Sequence, residues 1–163
     1  MYRKQKTIVL LKLPIDHRSF IKAREIVKRS ILAEGFDSVG TEIALDEHQI
    51  GLLYSHVPYP ILIGQLAQFA HKKVMVWMVT GEKSIMRMAR AKGDNNDPML
   101  CDPGSMRYQL AELLGPRPVI LPLTDAPGRL GREIVAYDNY VHCPRPGEGA
   151  HDLRIFRSYF GVV

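Results

Sequence analysis

The stretch "TIVLLKL" (residues 7–13) is apolar at almost every position instead of every second one, and "VMVWMV" (74–79) repeats the pattern. A strand with one wet face alternates, whereas a short continuous run rich in branched side chains reads as a sheet strand buried on both faces. These two runs are expected to be the central strands, and the remaining elements must cover them.

Between them, Phe20, Ala23, Val27 and Ile31 fall on one face of a helix over 19–34, and the glycine of "EGF" (34–36) ends it. In "FDSVGTEIAL", Val39, Thr41, Ile43 and Leu45 alternate with smaller or polar residues, as in a strand with one covered face. Asp46 caps the next element, and "DEHQIGLLYSH" and "ILIGQLAQFAHKK" read as two helices parted by "VPYP". "GEKSIMRMARAKG" is a further helix with a polar exit in "DNNDP", 105–113 another, 139–143 the last strand, and Ala150, Leu153 and Phe156 mark a closing helix. The order β-α-β-(αα)-β-α-β matches an α+β, ferredoxin-like βαββαβ arrangement. Such a domain has a four-stranded antiparallel sheet covered by helices, expected on one face.

At 163 residues and 46% hydrophobic content, one domain with a single core is expected over 1–163. Segment 114–136 departs from this order: four prolines and three glycines lie in and around the apolar patch "VILPL". It reads as an insertion that packs on a neighbouring subunit or closes over a site, and it cannot join the main sheet as a regular central strand. No apolar run approaches the ~20 residues of a membrane span, and "MYRKQK" leads into no cleavage signal, so a soluble cytoplasmic protein is expected. Cys101 and Cys143 lack metal-ligand spacing and read as reduced thiols. A net charge of +5 favours polyanions such as nucleotides. Nucleic acid is disfavoured, because basic and aromatic residues are not interleaved as a stacking platform requires.

In "YDNYVHCPRP" (137–146), His142 follows Asn139 by three places inside a short branched stretch that stops at Pro144. A neutral imidazole nitrogen is a nucleophile near pH 7, so a poised histidine can carry a transferred group as well as a proton. By itself such a residue is more often a packed core histidine.

Laid end to end, the pieces resemble the nucleoside diphosphate kinase family over nearly the whole chain outside 114–136. The opening strand leads to Lys12, the first helix ends in "EGF", and "YSHVPYPILIG" stands where the family has a Tyr and His ahead of Pro-Phe-Phe-x-Gly. "GEKS" stands for Gly-Glu-Asn-Ala, "PGSMR" for Pro-Gly-Thr-x-Arg, and "NYVH" for Asn-x-x-His. The resemblance implies that His142 takes the γ-phosphate of a nucleoside triphosphate, supplied with Mg²⁺, and passes it to a nucleoside diphosphate. It further implies that Lys12 touches the phosphates, Tyr54 sits beside the histidine, Arg107 holds phosphate through its fork and Asn139 bonds the sugar hydroxyl. A homo-oligomer, a dimer-based tetramer or hexamer, is the expected assembly.

Departures accompany these matches. The family's Lys-Pro-Asp has become "KLPID", with Asp16 the nearest acid. The helix arginine falls on Ala89 counting from Gly81 and on Arg90 counting from Pro98; Arg90 is taken as the candidate. The phosphate-binding threonine becomes Asn96, the base-stacking aromatic becomes Ile61, and a serine becomes Pro144. The glutamate that orients the histidine falls at Ile155, and Asp152, one turn earlier, is the substitute. Two expectations result: an active phosphotransferase, or a fold with weakened catalysis that serves as a nucleotide-sensing or scaffold subunit.

Overall fold

The computed structural model describes residues 4–116, 118–123, 132–137 and 139–161 of the chain. The apolar runs form β1 (Lys4–Leu11) and β3 (Lys73–Glu82), which pair antiparallel from Lys4 opposite Glu82 to Leu11 opposite Met75. β2 (Asp37–Ala44) pairs antiparallel with β3, and the two-residue β6 (Val141–His142) pairs antiparallel with β1, giving the order β2-β3-β1-β6. This is the expected four-stranded ferredoxin-like sheet.

Helices cover both faces of the sheet, not one. Val9 and Leu11 of β1 pack with α1 (Phe20–Ala33), α4 (Ser84–Lys92) and α5 (Met106–Leu114). Ile8 and Leu10, pointing the other way, pack with α2 (Glu47–Leu53), α3 (Tyr59–Phe69) and α6 (Gly149–Phe156). A strand apolar on both sides demands this arrangement, since either bare face would leave branched side chains in water.

The local signals act as their chemistry requires. The four positions expected on the inner face of α1, Phe20, Ala23, Val27 and Ile31, are buried, and Gly35 ends the helix with a left-handed φ of 67° that a Cβ would penalise. Asp46 accepts from the Gln49 backbone amide at 2.7 Å while the Gln49 side chain accepts from the Asp46 amide at 3.1 Å, a reciprocal cap that starts α2. The alternation in β2 is only half fulfilled: Ile43 is buried but Val39 is 61% exposed. β2 is the edge strand, and helix cover reaches its Ile43 end and not its Val39 end.

Among the described residues, segment 114–136 contributes no strand to the main sheet. β4 (Pro118–Leu123) and β5 (Arg132–Tyr137) form a separate two-stranded antiparallel hairpin, with Pro118 opposite Tyr137 and Leu123 opposite Arg132. β4 approaches α3. Residues 117 and 124–131, part of the segment expected to act as a lid or subunit contact, lie outside the described residues.

Gly81 is a packing glycine in β3. A Cβ at that position would collide with the Phe36 ring, itself 5% exposed and covered by the Arg87 guanidinium 4.5 Å from its centroid. Gly81→Ala is expected to cost about 1–3 kcal/mol, read as a lower urea midpoint. An unchanged midpoint would show that Phe36 can move aside.

Candidate active site

His142 is fixed from two sides. Its backbone pairs with Leu10 of β1, and the pairing is extended by the Lys12 amide, which donates to the Tyr140 carbonyl at 2.8 Å. Its ring contacts α6, where Nε2 lies 2.7 Å from Oδ2 of Asp152, with the two side chains only 11% and 3% exposed. The carboxylate accepts the Nε2 proton, so the neutral ring keeps its lone pair on Nδ1. Asp152, and not Ile155, therefore stands where an orienting carboxylate is needed; the one-turn spacing made this legible.

Burial lowers the pKa of His142, and the Lys12 and Lys92 charges add to that fall, against the hydrogen bond and charge of Asp152, which raise it. The imidazole is thus uncharged near neutral pH. The neighbouring Cys143 thiol is pushed up to about 12 by burial and stays protonated. Tyr54, at the end of α2, meets His142 edge-on with ring centroids 5.6 Å apart. Burial, first, and the Asp152 charge raise its phenol pKa, so it remains a hydroxyl.

Lys12 follows β1 and is fully buried. Its Nζ donates to Gln65 Oε1 at 2.6 Å and lies 5.4 Å from the Tyr54 ring centroid. Gln65, on α3, was not among the sequence candidates. Arg107 leaves the first turn of α5, whose N-cap Ser105 accepts from the Tyr108 amide, and its Nη1 donates to the Asn95 carbonyl at 2.7 Å. Burial lowers the Arg107 pKa, but a guanidinium remains charged at any working pH.

These side chains converge. A cavity of ≈ 280 Å³ is lined by Lys12, Tyr54, Ile61, Asn96, Arg107, Asn139 and His142, together with Gln65, Lys92, Arg145 and Glu148 among others. Of the residues expected to carry phosphotransfer or bind nucleotide, Arg90 is exposed and lies outside it. The reason is helical geometry. Ser84, Met88 and Lys92 form the buried face of α4 at intervals of four, and a residue two places from Lys92 points to the opposite side. Lys92, 9% exposed, is the cation that enters, and its Nζ donates to the Cys143 carbonyl at a long 3.5 Å. Burial lowers its pKa, with Arg107 and Arg145 acting in the same sense. The interval Ser84–Met88–Lys92 was the available signal for it. Asn139 accepts from the Val141 amide at 3.2 Å through Oδ1, so it shapes the turn into β6 as well as lining the cavity. Asp16 is exposed and does not line it.

Two polar atoms on this wall, Tyr54 Oη and Arg107 Nε, are buried without a hydrogen-bond partner. A buried donor left unmatched is costly, and here both donors belong to a cavity with four cationic side chains and one carboxylate, Glu148. A phosphate group has the charge and the acceptor oxygens to satisfy them. The lining does not fit a protein-held metal: among the described residues no group of three His, Cys, Asp or Glu could hold one. No helix among the described residues is long and apolar enough to cross a membrane.

No protein-family model and no curated protein matches the sequence. Among solved structures, the chain is similar to nucleoside diphosphate kinase from Aquifex aeolicus, with a TM-score of 0.68 and 16% identity over 99% of this chain and 100% of that one. It is similar to a transition-state mimic of the Borrelia burgdorferi enzyme with bound vanadate and ADP, at 0.63 and 16% over 94% and 86%. The Halobacterium salinarum enzyme in complex with CDP matches at 0.62 and 17% over 94% and 88%. At such identities the likeness is one of fold, and the chain has the α+β, ferredoxin-like architecture of the nucleoside diphosphate kinases.

Proposed function

We propose that this single domain, with 114–136 as its insertion, is a nucleoside diphosphate kinase-like phosphotransferase in which His142 carries the phosphoryl group. The observation that carries the reading is the buried Asp152–His142 pair facing a cavity lined by Lys12, Lys92 and Arg107. Nδ1 attacks the γ-phosphorus of a nucleoside triphosphate. The N–P bond forms as the bridging P–O bond breaks, and the diphosphate leaves with the electron pair. A terminal oxygen of a second nucleoside diphosphate then attacks the same phosphorus, and the N–P bond returns its pair to Nδ1. Asp152 stabilises the positive charge that develops on the ring, while the cations meet the charge spread over the transferring oxygens. Magnesium accompanies the nucleotide. A cytoplasmic homo-oligomer built from dimers is the proposed setting.

Ile61 offers the base apolar contact without a ring to stack on. That residue favours the second reading, a nucleotide-sensing or scaffold subunit with weakened catalysis. Phosphate exchange from ATP to a different nucleoside diphosphate separates the two. Parallel double-reciprocal lines at several fixed diphosphate concentrations are expected for a covalent intermediate, and converging lines or binding without turnover would remove the proposal.

Arg107→Ala is expected to weaken ATP binding about tenfold or more through the loss of a charged hydrogen bond to phosphate, with a small change in the melting temperature of the ligand-free protein. A large fall in melting temperature at unchanged affinity would assign Arg107 to holding the Asn95 carbonyl alone.

A further inference from the structure

The cationic wall of the nucleotide cavity has a second side. Lys92, Arg107 and Arg145 also line an adjoining basin of ≈ 400 Å³, to which Arg90, Met86 and Asp94 contribute. Arg90, which takes no part in the first cavity, thus adds a further cation on the far side of the shared wall. Together the two hollows carry five cationic side chains, Lys12, Arg90, Lys92, Arg107 and Arg145, against the two carboxylates Glu148 and Asp94. The shared residues include the buried Lys92, with its long contact to a carbonyl, and Arg107, whose buried Nε has no partner. Buried cationic groups so weakly compensated call for an anion. In the first cavity, Ile61 stands where the resemblance places a base-stacking aromatic, and the five cations weight recognition toward phosphate.

We propose that Lys92, Arg107 and Arg145, continued by Arg90, form a binding track for a linear phosphate chain longer than three units, either an inorganic oligophosphate or the tail of a nucleoside tetraphosphate. This deepens the nucleotide reading and rests on it for the placement of the first three phosphates. A single-stranded nucleic acid fits less well, because no aromatic side chain lines the basin and each phosphodiester carries one charge.

Calorimetric titration of the full chain with inorganic tripolyphosphate, inorganic tetrapolyphosphate, ATP, adenosine 5′-tetraphosphate and a thymidine octanucleotide tests the track. The fourth phosphate is expected to raise affinity about tenfold in both the inorganic and the nucleoside pair, as one added charged hydrogen bond would. Arg90→Ala should abolish that gain while ATP affinity and the exchange rate stay unchanged; Arg90 is exposed, so the fold is not at stake. Equal affinities for three and four phosphates, or a gain that survives Arg90→Ala, would overturn the proposal. So would an octanucleotide that binds more tightly than tetrapolyphosphate and is lost in Arg90→Ala. A gain confined to the nucleoside pair would place the extra contact on the nucleoside and also overturn it. Chain-length dependence is read by binding and phosphotransfer by turnover, so either can fail alone.

Discussion

Asp152→Asn is expected to slow formation of the phosphorylated protein by about a hundredfold or more, with little change in KM for the triphosphate. The estimate follows from the cost of removing a carboxylate that orients a functional imidazole. Asparagine can still accept the Nε2 proton at the same place, so the fold is retained. What disappears is the charge that stabilises the ring as it takes up the phosphoryl group. The same substitution has a sign in pH. Burial holds the His142 pKa below 6.5, and Asp152 opposes that fall, so removing the carboxylate lowers the value further. The acid limb of the rate, which lies below pH 6.5 in the parent protein, should move to lower pH. Stability follows the same linkage. Folding depresses this pKa, so on acidification the unfolded chain takes up the proton first. The contribution of the neutral His142 is complete above pH 6.5 and is lost as pH falls toward the folded pKa. A wild-type rate in Asp152→Asn would remove the carboxylate from the mechanism.

Lys12→Met should lower kcat/KM by roughly a hundredfold to a thousandfold, the range seen when one preorganised donor to a developing charge is removed. The side chain is fully buried and held at 2.6 Å by Gln65, so methionine preserves the apolar stem and leaves Gln65 without its donor. Here the pH sign reverses. The Lys12 charge is one of the causes that lower His142, so its removal raises the imidazole pKa and moves the acid limb upward. The two substitutions thus shift one limb in opposite directions. A shift in the same direction for both would mean that the limb reports a group other than His142.

The parts of the fold that were legible are those where one local force dominates. The unbroken apolar runs of β1 and β3 could only be central, the four-residue face of α1 is buried as spaced, and the Asp46 cap needs no tertiary partner. Errors occurred where long-range cover decides. Val39 alternates correctly yet stays exposed, because alternation cannot reveal which end of an edge strand the helices reach. The expectation of helices on one face conflicted with runs apolar on both, and the runs were the stronger signal. In the site, residues tied to short rigid motifs, such as His142 and Arg107, converge on the cavity as expected. Arg90 lies outside the cavity because counting back from Pro98 ignores helical phase, and the buried interval Ser84–Met88–Lys92 turns the lysine inward. Gln65 escaped notice because its role depends on α3 packing beside the end of β1, a contact between residues 53 positions apart.

The central claim is that His142 itself bears the phosphoryl group. Incubation with γ-labelled ATP, followed by acid and base treatment and peptide mass spectrometry, tests it directly. Label that is lost in acid, survives base, maps to His142 and is absent from His142→Asn is the result expected of an N-linked phosphate. No label on a chain that binds ATP, or acid-stable label on a hydroxyl residue, would contradict the account.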